Sequence, residues 1–309
     1  MGQTWTKLLF PDHSIPKTSI PNPCTACGWT PERQNNCRYE SHVKLFYGVS
    51  DRGVWSLGSN MILKERLDTA PNFEARNIRL LEQETSIPRP TIIEDWVEEN
   101  QRSFILMRRV RGEPLSRLWK DMSPDQRESI ARQTAECLMQ LRKLQSPQMH
   151  SVEGQPLYSA FLFRNGYGLP HGPLASDDEL WAEMDLALKD ITEDARLRLR
   201  ERMPPATPYT FTHGDLTYVN IMVQDGRLTG ILDWEAAGYF PVWWEFTCAG
   251  IGLSQEDKEW KDLLRRFMPD HTAAREFWMD YYSLSKYPDL DESGRALLGN
   301  GVSGSHGQE

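Results

Sequence analysis

A His-x-Asp with an asparagine five residues after the Asp, and a further Asp behind a short apolar run, constrains this chain more than any other feature. The first element is Phe211-Thr212-His213-Gly214-Asp215-Leu216-Thr217-Tyr218-Val219-Asn220, and the second is Gly230-Ile231-Leu232-Asp233-Trp234-Glu235. Between them, residues 221–223 and 228–232 read as two short strands around Asp225-Gly226. Asp-Gly is a favoured two-residue turn because both positions need positive φ. Folding about that turn pairs Gln224 with Arg227 and sets Asn220 opposite Ile231. Asn220 and Asp233 then lie near the same open end of a hairpin, close enough to share a metal. An amide oxygen plus a carboxylate suits Mg²⁺ bound jointly with phosphates.

Phosphoryl transfer needs a carboxylate to orient the attacking hydroxyl and oxygen ligands that hold magnesium on the nucleotide phosphates. Asp215 suits the first role; Asn220 and Asp233 suit the second. A surface turn with a chance His-Asp pair would explain either element alone. It does not explain the spacing, the hairpin and the second Asp together.

On these motifs, and on the Asp-Trp-Glu-Ala-Ala-Gly-Tyr-Phe-Pro run at 233–241, the chain resembles the aminoglycoside phosphotransferase family, and its fungal members most. The resemblance covers roughly residues 43–298. It implies an α+β, two-lobed protein-kinase-like fold, with a small β-rich N-lobe and a larger, mainly helical C-lobe. The expected divisions are an N-terminal extension over 1–42, a nucleotide cradle over 43–111, a catalytic and acceptor-binding lobe over 112–300, and a tail over 301–309.

The amino-terminal lobe should hold the nucleotide. Neither a Walker A sequence nor the G-x-G-x-x-G of protein kinases occurs in the chain, which disfavours the P-loop class. The glycine-punctuated stretch 48–58 resembles the shorter phosphate loop of the aminoglycoside kinases. Lys64 follows the apolar run Met61-Ile62-Leu63, as expected of a strand lysine that reaches the α- and β-phosphates. In such folds a helix glutamate holds that lysine, and Glu74 is the candidate, with Glu82 and Glu84 as weaker rivals. Phe73, Ile78 and Leu81 fit a helix that packs one face on the sheet. Pro88 and Pro90 end it, and strands follow at Thr91–Val97 and 103–107. The resemblance makes Phe104-Ile105-Leu106-Met107-Arg108-Arg109-Val110 the strand and hinge. The Arg108 carbonyl and the Val110 amide would pair with the adenine edge, and Met107 would line the base pocket.

In the second lobe, Ser123-Pro124-Asp125-Gln126 is a capping box with proline at the first helical position. Ile130, Thr134, Leu138, Leu141 and Leu144 follow at helical spacing. Ser176-Asp177-Asp178-Glu179 opens another helix carrying Leu180, Met184, Ala187, Leu188 and Ile191, and a helical region covers 255–285. Residues 161–173 form a glycine- and proline-rich loop at the expected mouth of the site. In the fold, His213 braces the catalytic loop and Glu245 anchors the segment after the metal site.

The chain has 309 residues and a net charge of −9. The negative charge lies beyond residue 112, while the part before it is slightly basic. An acidic acceptor-binding lobe suits a cationic small-molecule hydroxyl acceptor, such as an amine-bearing sugar, and disfavours nucleic acid. Solvated helix-start acids such as Asp177, Asp178 and Glu179 account for part of that charge. No run of eighteen apolar residues occurs, so no membrane span is expected. There is no hydrophobic signal segment, and five cysteines do not suit a secreted disulfide framework. The cytoplasm is the expected location.

Cys24-x-x-Cys27 with Cys37 and His42 lacks a second paired spacing and reads as free thiols rather than a zinc site. Met1-Gly2-Gln3-Thr4-Trp5-Thr6 matches a myristoylation pattern, but no polybasic second signal accompanies it. Trp234-Glu235 in place of Phe-Gly, with no Ala-Pro-Glu beyond, argues against a peptide substrate. The expectation is therefore a small-molecule O-phosphotransferase using ATP, with GTP compatible, and Mg²⁺. The alternatives are a nucleotide-binding regulatory pseudokinase and a protein kinase.

Overall fold

The computed structural model describes residues 43–49, 51–159, 161–163, 169–249 and 252–286. The N-terminal cysteines, His42, the myristoylation pattern and the 301–309 tail lie outside them, as do Ser50 and residues 164–168 of the two loops discussed above. The described residues form two compact units.

The first unit, residues 43–68 and 91–109, is one antiparallel sheet. Strands β1 (Val43–Val49), β2 (Arg52–Leu57), β3 (Met61–Leu67), β4 (Thr91–Val97) and β5 (Arg102–Arg108) lie in the order β1-β2-β3-β5-β4. Within residues 48–58, Gly48 and Val49 end β1, Arg52–Leu57 is the whole of β2, and Gly58 follows at φ +62°. Lys64 sits in the middle of β3, opposite Val54 on β2 and Ile105 on β5. Along β5, Ser103, Ile105 and Met107 are buried in the alternation a pleated strand imposes.

The second unit, residues 69–90 and 110–286, contains the helices and two small sheets. One sheet has the order β10-β9-β6 and the other β11-β8-β7. The strands are β6 (Glu113–Pro114), β7 (Gln145–Ser146), β8 (Tyr209–Thr212), β9 (Ile221–Gln224), β10 (Arg227–Ile231) and β11 (Gly238–Pro241). Ser123 makes the full capping box with Gln126, and its helix runs Pro124–Leu141 with Ile130, Thr134, Leu138 and Leu141 buried; Leu144 lies beyond its end. Ser176 caps the helix Asp177–Asp185. A single 3-10 turn then buries Ala187 and Leu188, and a separate helix, Glu193–Glu201, follows. That last helix shows only Ala195 and Leu199 to the core, too few apolar residues to stand out as a periodic pattern. The region 255–285 is two helices, Gln255–Arg265 and Thr272–Lys286. The second of these packs Phe277, Trp278 and Tyr281 into a core with Trp243, Trp244 and Phe240.

The helix Glu74–Glu84 belongs to this unit. It buries Ile78 and Leu81 completely, each worth about 1.5–3 kcal/mol relative to exposure. Its Asn77 amide donates to the carbonyls of Trp234 (2.8 Å) and Ala237 (3.3 Å). The face expected to lie on the sheet is thus tied to the segment after Asp233.

The hairpin forms as expected at its tip. Asp225 (φ 51°) and Gly226 (φ 72°) make the turn, and Gln224 pairs with Arg227. Its register then departs from simple counting. A bulge between Leu228 and Gly230 puts Ile231 opposite Ile221, and Asn220 instead faces Leu232, whose N–H donates to the Asn220 carbonyl (2.8 Å). The bulge accommodates residues 110 and 111. Thr229 Oγ1 donates to the Arg111 carbonyl (2.6 Å), and a Cβ on Gly230 would lie 2.6 Å from Val110 Cγ1. Gly112 is tighter still, at φ +100° with a Cβ position 2.3 Å from the Val223 carbonyl oxygen. Gly112→Ala should destabilise the protein by about 2 kcal/mol or more. Thermal and urea unfolding check this, and an unchanged midpoint would mean the hinge does not need its glycine.

Candidate active site

The loop from His213 to Asn220 joins β8 to β9, and its backbone is fixed at nearly every residue. The buried Glu245 accepts from the His213 N–H (2.6 Å) and the Gly214 N–H (3.2 Å). Glu245, itself on the segment after Asp233, thereby ties that segment to the entry of this loop. The loop entry carries two backbone donors that burial would otherwise leave unpaired, and a carboxylate with two oxygens satisfies both.

His213 is fully buried. Its Nδ1 accepts from the Asp215 N–H (3.1 Å), which assigns the proton to Nε2, and Nε2 lies 2.8 Å from the Leu232 carbonyl. The ring thus ties the backbone of Asp215 to the residue before Asp233. Gly214, at φ +83°, makes the turn between them.

Asn220 Nδ2 donates to the Asp215 carbonyl at 3.0 Å and more weakly to Asp215 Oδ2 at 3.4 Å. Asp233, at φ 63° and ψ 61°, adopts the left-handed conformation that Asp and Asn tolerate best among residues with a Cβ. Asp215, Asn220 and Asp233 are therefore brought together at the open end of the hairpin. Burial pushes Asp215 up to about 7; Lys261 opposes this, and Asp233, Asp257 and Glu235 add to it as nearby negative charges.

The remaining expected site residues are placed as follows. Lys64, Met107 and Arg108 belong to the sheet unit, on β3 and at the end of β5. Met107 is buried and Arg108 exposed. Glu74 is buried in the first turn of its helix, and Val110 packs on Gly230 in the second unit. Sequence reasoning missed Asn77, the partners of Glu245, and the buried pair Asp257–Lys261. A signal for Asn77 was available, because a polar amide at i+4 from Phe73 occupies the apolar face of its helix.

Glu245 has a pH consequence. Burial pushes its carboxyl up to about 7, against the hydrogen bonds from His213, Gly214 and Cys248 that favour the ionised form. A carboxyl with a raised folded pKa holds its proton more tightly in the native state. Its stabilising contribution is full below the unfolded value near 4.5 and is lost as pH rises through about 7. Wild type should therefore lose on the order of 2 kcal/mol between pH 5 and 8 relative to Glu245→Gln. Urea unfolding of both proteins at the two pH values measures this. Equal pH slopes would contradict it.

With this geometry in view, comparison with known proteins is decisive. Residues 55–277 match the model of the phosphotransferase enzyme family, APH. The chain belongs to the phosphotransferase enzyme family. This phosphotransferase is 27% identical over 214 residues to an aminoglycoside 3'-phosphotransferase of Staphylococcus aureus, covering 66% of this chain and 76% of that protein. Among solved structures it is similar to the streptomycin–ATP ternary complex of APH(2")-IIa, with TM-score 0.54 and 14% identity over 87% of this chain and 94% of that one. It is also similar to a thermostable mutant of APH(4)-Ia in ternary complex with AMP-PNP and hygromycin B, with TM-score 0.53 and 12% identity over 86% and 95%. The fold of this phosphotransferase is the α+β protein-kinase-like fold of those enzymes, and its reaction is phosphoryl transfer to a hydroxyl group. Among the described residues, no helix is long and apolar enough to cross a membrane.

Proposed function

We propose that the chain is an ATP-dependent kinase of a cationic small-molecule alcohol, with Asp215 as catalytic carboxylate and Asn220 and Asp233 as the metal pair. The observation that carries the reading is the convergence of these three side chains on one hairpin end, held by His213 and Glu245.

The donor set fits Mg²⁺. With Nδ2 of Asn220 committed to Asp215, the atom of its amide left for a cation is Oδ1, and Asp233 supplies a carboxylate. No group of three or more His, Cys, Asp or Glu among the described residues is arranged to hold a metal by itself. One carboxylate with an amide is a set that Mg²⁺ takes when phosphates complete its shell. Asn220 Oδ1 and the Asp233 carboxylate would hold Mg²⁺, which would supply positive charge against the nucleotide phosphates. Asp215 orients the acceptor hydroxyl and takes its proton as the new O–P bond forms and the bond to the β-phosphate oxygen breaks, releasing ADP.

In this reading residues 43–111 are the nucleotide cradle and 112–300 carry catalysis and the acceptor. Lys64 positions the α- and β-phosphates with Glu74 behind it. The Arg108 carbonyl and the Val110 amide meet the adenine edge, with Met107 lining the base pocket. The charge of Glu235 near Asp215 and the excess of acidic residues beyond residue 112 favour an acceptor that carries amines, and the reading places the enzyme in the cytoplasm.

Acceptor class is tested by ADP release over a panel of matched polyols and amino-polyols. Amine-bearing acceptors should be preferred, and equal use of neutral ones would remove the cationic class. Lys64→Ala tests the cradle. ATP binding should weaken roughly 10–100-fold, the worth of a charge-assisted hydrogen bond or two, while adenosine binds as before. Equal losses for both ligands in calorimetry would make Lys64 a structural residue.

A further inference from the structure

The helix Gln255–Arg265 carries a buried ion pair that the reaction as described does not use. Asp257 is 0% exposed and Lys261 3%, with Nζ 3.2 Å from Asp257 Oδ2. A buried pair of this kind is poor evidence for stability, since apolar replacements of similar volume are often neutral or better. Its hydrogen bonds say what it holds. Asp257 Oδ1 accepts from the Tyr218 N–H (2.8 Å), and Oδ2 accepts from the Leu253 N–H (2.9 Å). The Asp257 N–H donates to Ser254 Oγ (3.2 Å), which in turn lies 3.2 Å from the Tyr218 hydroxyl. One turn further along, Trp260 Nε1 donates to the Leu216 carbonyl (3.0 Å).

Leu216 and Tyr218 flank Thr217, whose carbonyl accepts from the Asn220 N–H (2.9 Å). That turn returns the Asn220 side chain to Asp215. The helix thus grips the loop on both sides of the turn that sets the distance between the two residues.

We propose that Asp257, backed by Lys261, is a positioning residue that clamps the 216–218 segment so that Asp215 and Asn220 keep their working geometry. An aspartate is required because two N–H groups converge on its two oxygens. Asparagine offers one acceptor oxygen and would set its NH₂ against a second donor. Lys261, with Nζ 3.2 Å from Oδ2, holds the carboxylate in place where water cannot.

The proposal rests on Asp215 and Asn220 being the catalytic pair, so its test uses one readout that needs turnover and one that does not. In Asp257→Asn, amide hydrogen exchange over 213–222 should speed up about tenfold or more while exchange in β1–β5 stays at the wild-type rate. The kcat per nucleotide-binding site, counted by calorimetric titration, should fall roughly tenfold or more, with KM for Mg-ATP changing far less, because small misplacements are felt mainly in the chemical step. Lys258→Gln, on the exposed side of the same helix, should match wild type in both. Unchanged exchange over 213–222, or wild-type kcat per binding site, overturns the clamp. Should Asp257→Asn fail to fold, Ser254→Ala carries the same readouts with an expected loss of about threefold, and no loss overturns the proposal. If the wild-type protein phosphorylates no acceptor, the kinase reading fails, and the exchange readout alone decides the clamp.

Discussion

Asp215→Asn lowers phosphoryl transfer to the acceptor by roughly 10²–10⁴-fold, the range a positioned general base contributes. The substitution keeps size and shape and removes the negative charge and the proton acceptor. It should disturb its surroundings little, because Asn220 holds chiefly to the Asp215 backbone carbonyl at 3.0 Å and only weakly to the carboxylate at 3.4 Å. Binding of Mg-ATP should therefore stay within a few-fold of wild type, since the substitution leaves the proposed metal pair, Asn220 and Asp233, in place. The substitution also relieves the crowding of negative charge by Asp233, Asp257 and Glu235, so the folded protein should be no less stable. Pre-steady-state kinetics separates the chemical step from product release. A variant retaining more than about a third of the wild-type rate in that step would show that Asp215 is not the base.

Loss of the metal carboxylate should be as severe. Asp233→Asn is the informative substitution, because position 233 is left-handed (φ 63°) and asparagine accepts that conformation where alanine would add strain. Mutating a partner in a metal site's outer shell costs roughly 10–100-fold in affinity or activity. Loss of a ligand's charge should cost at least the upper end of that range. Titration of ADP with and without Mg²⁺ should show the metal-dependent gain in affinity disappear, while unfolding midpoints stay close to wild type. A full metal-dependent gain in the variant would move the metal off Asp233.

Much of this was legible in the chain because the informative contacts are local. Asp225-Gly226 determined the hairpin tip, Ser123 and Ser176 determined two helix starts, and the spacing from Asp215 to Asn220 and Asp233 determined which side chains meet. The errors share one cause, which is that the deciding partner lies far along the chain. The bulge that shifts Asn220 from Ile231 to Leu232 exists because Val110 presses on Gly230 and Arg111 takes the Thr229 hydroxyl. The partners of Glu245 went unnamed because His213 and Gly214 precede it by some thirty residues and offer only backbone donors. Asp257 and Lys261 lie on the buried face of their helix with Trp260 and Leu264, and the backbone N–H of Tyr218 that Asp257 accepts lies some forty residues earlier. Asn77 sits on the apolar face of its helix, but the two carbonyls that it bonds, of Trp234 and Ala237, lie far along the chain. In each case a buried polar group is explained by backbone atoms of a distant loop, and such atoms carry no side-chain signature in a sequence.

In the proposed reading, the Asp215, Asn220 and Asp233 constellation moves a phosphoryl group from ATP to a hydroxyl of a small molecule. Phosphorus NMR of a reaction containing the protein, Mg-ATP and the best acceptor from the panel tests it most directly. The account predicts a new phosphomonoester resonance growing in step with ADP, absent in Asp215→Asn under the same conditions. Nucleotide binding with no phosphomonoester, release of inorganic phosphate alone, or an ester formed equally well by Asp215→Asn would contradict it.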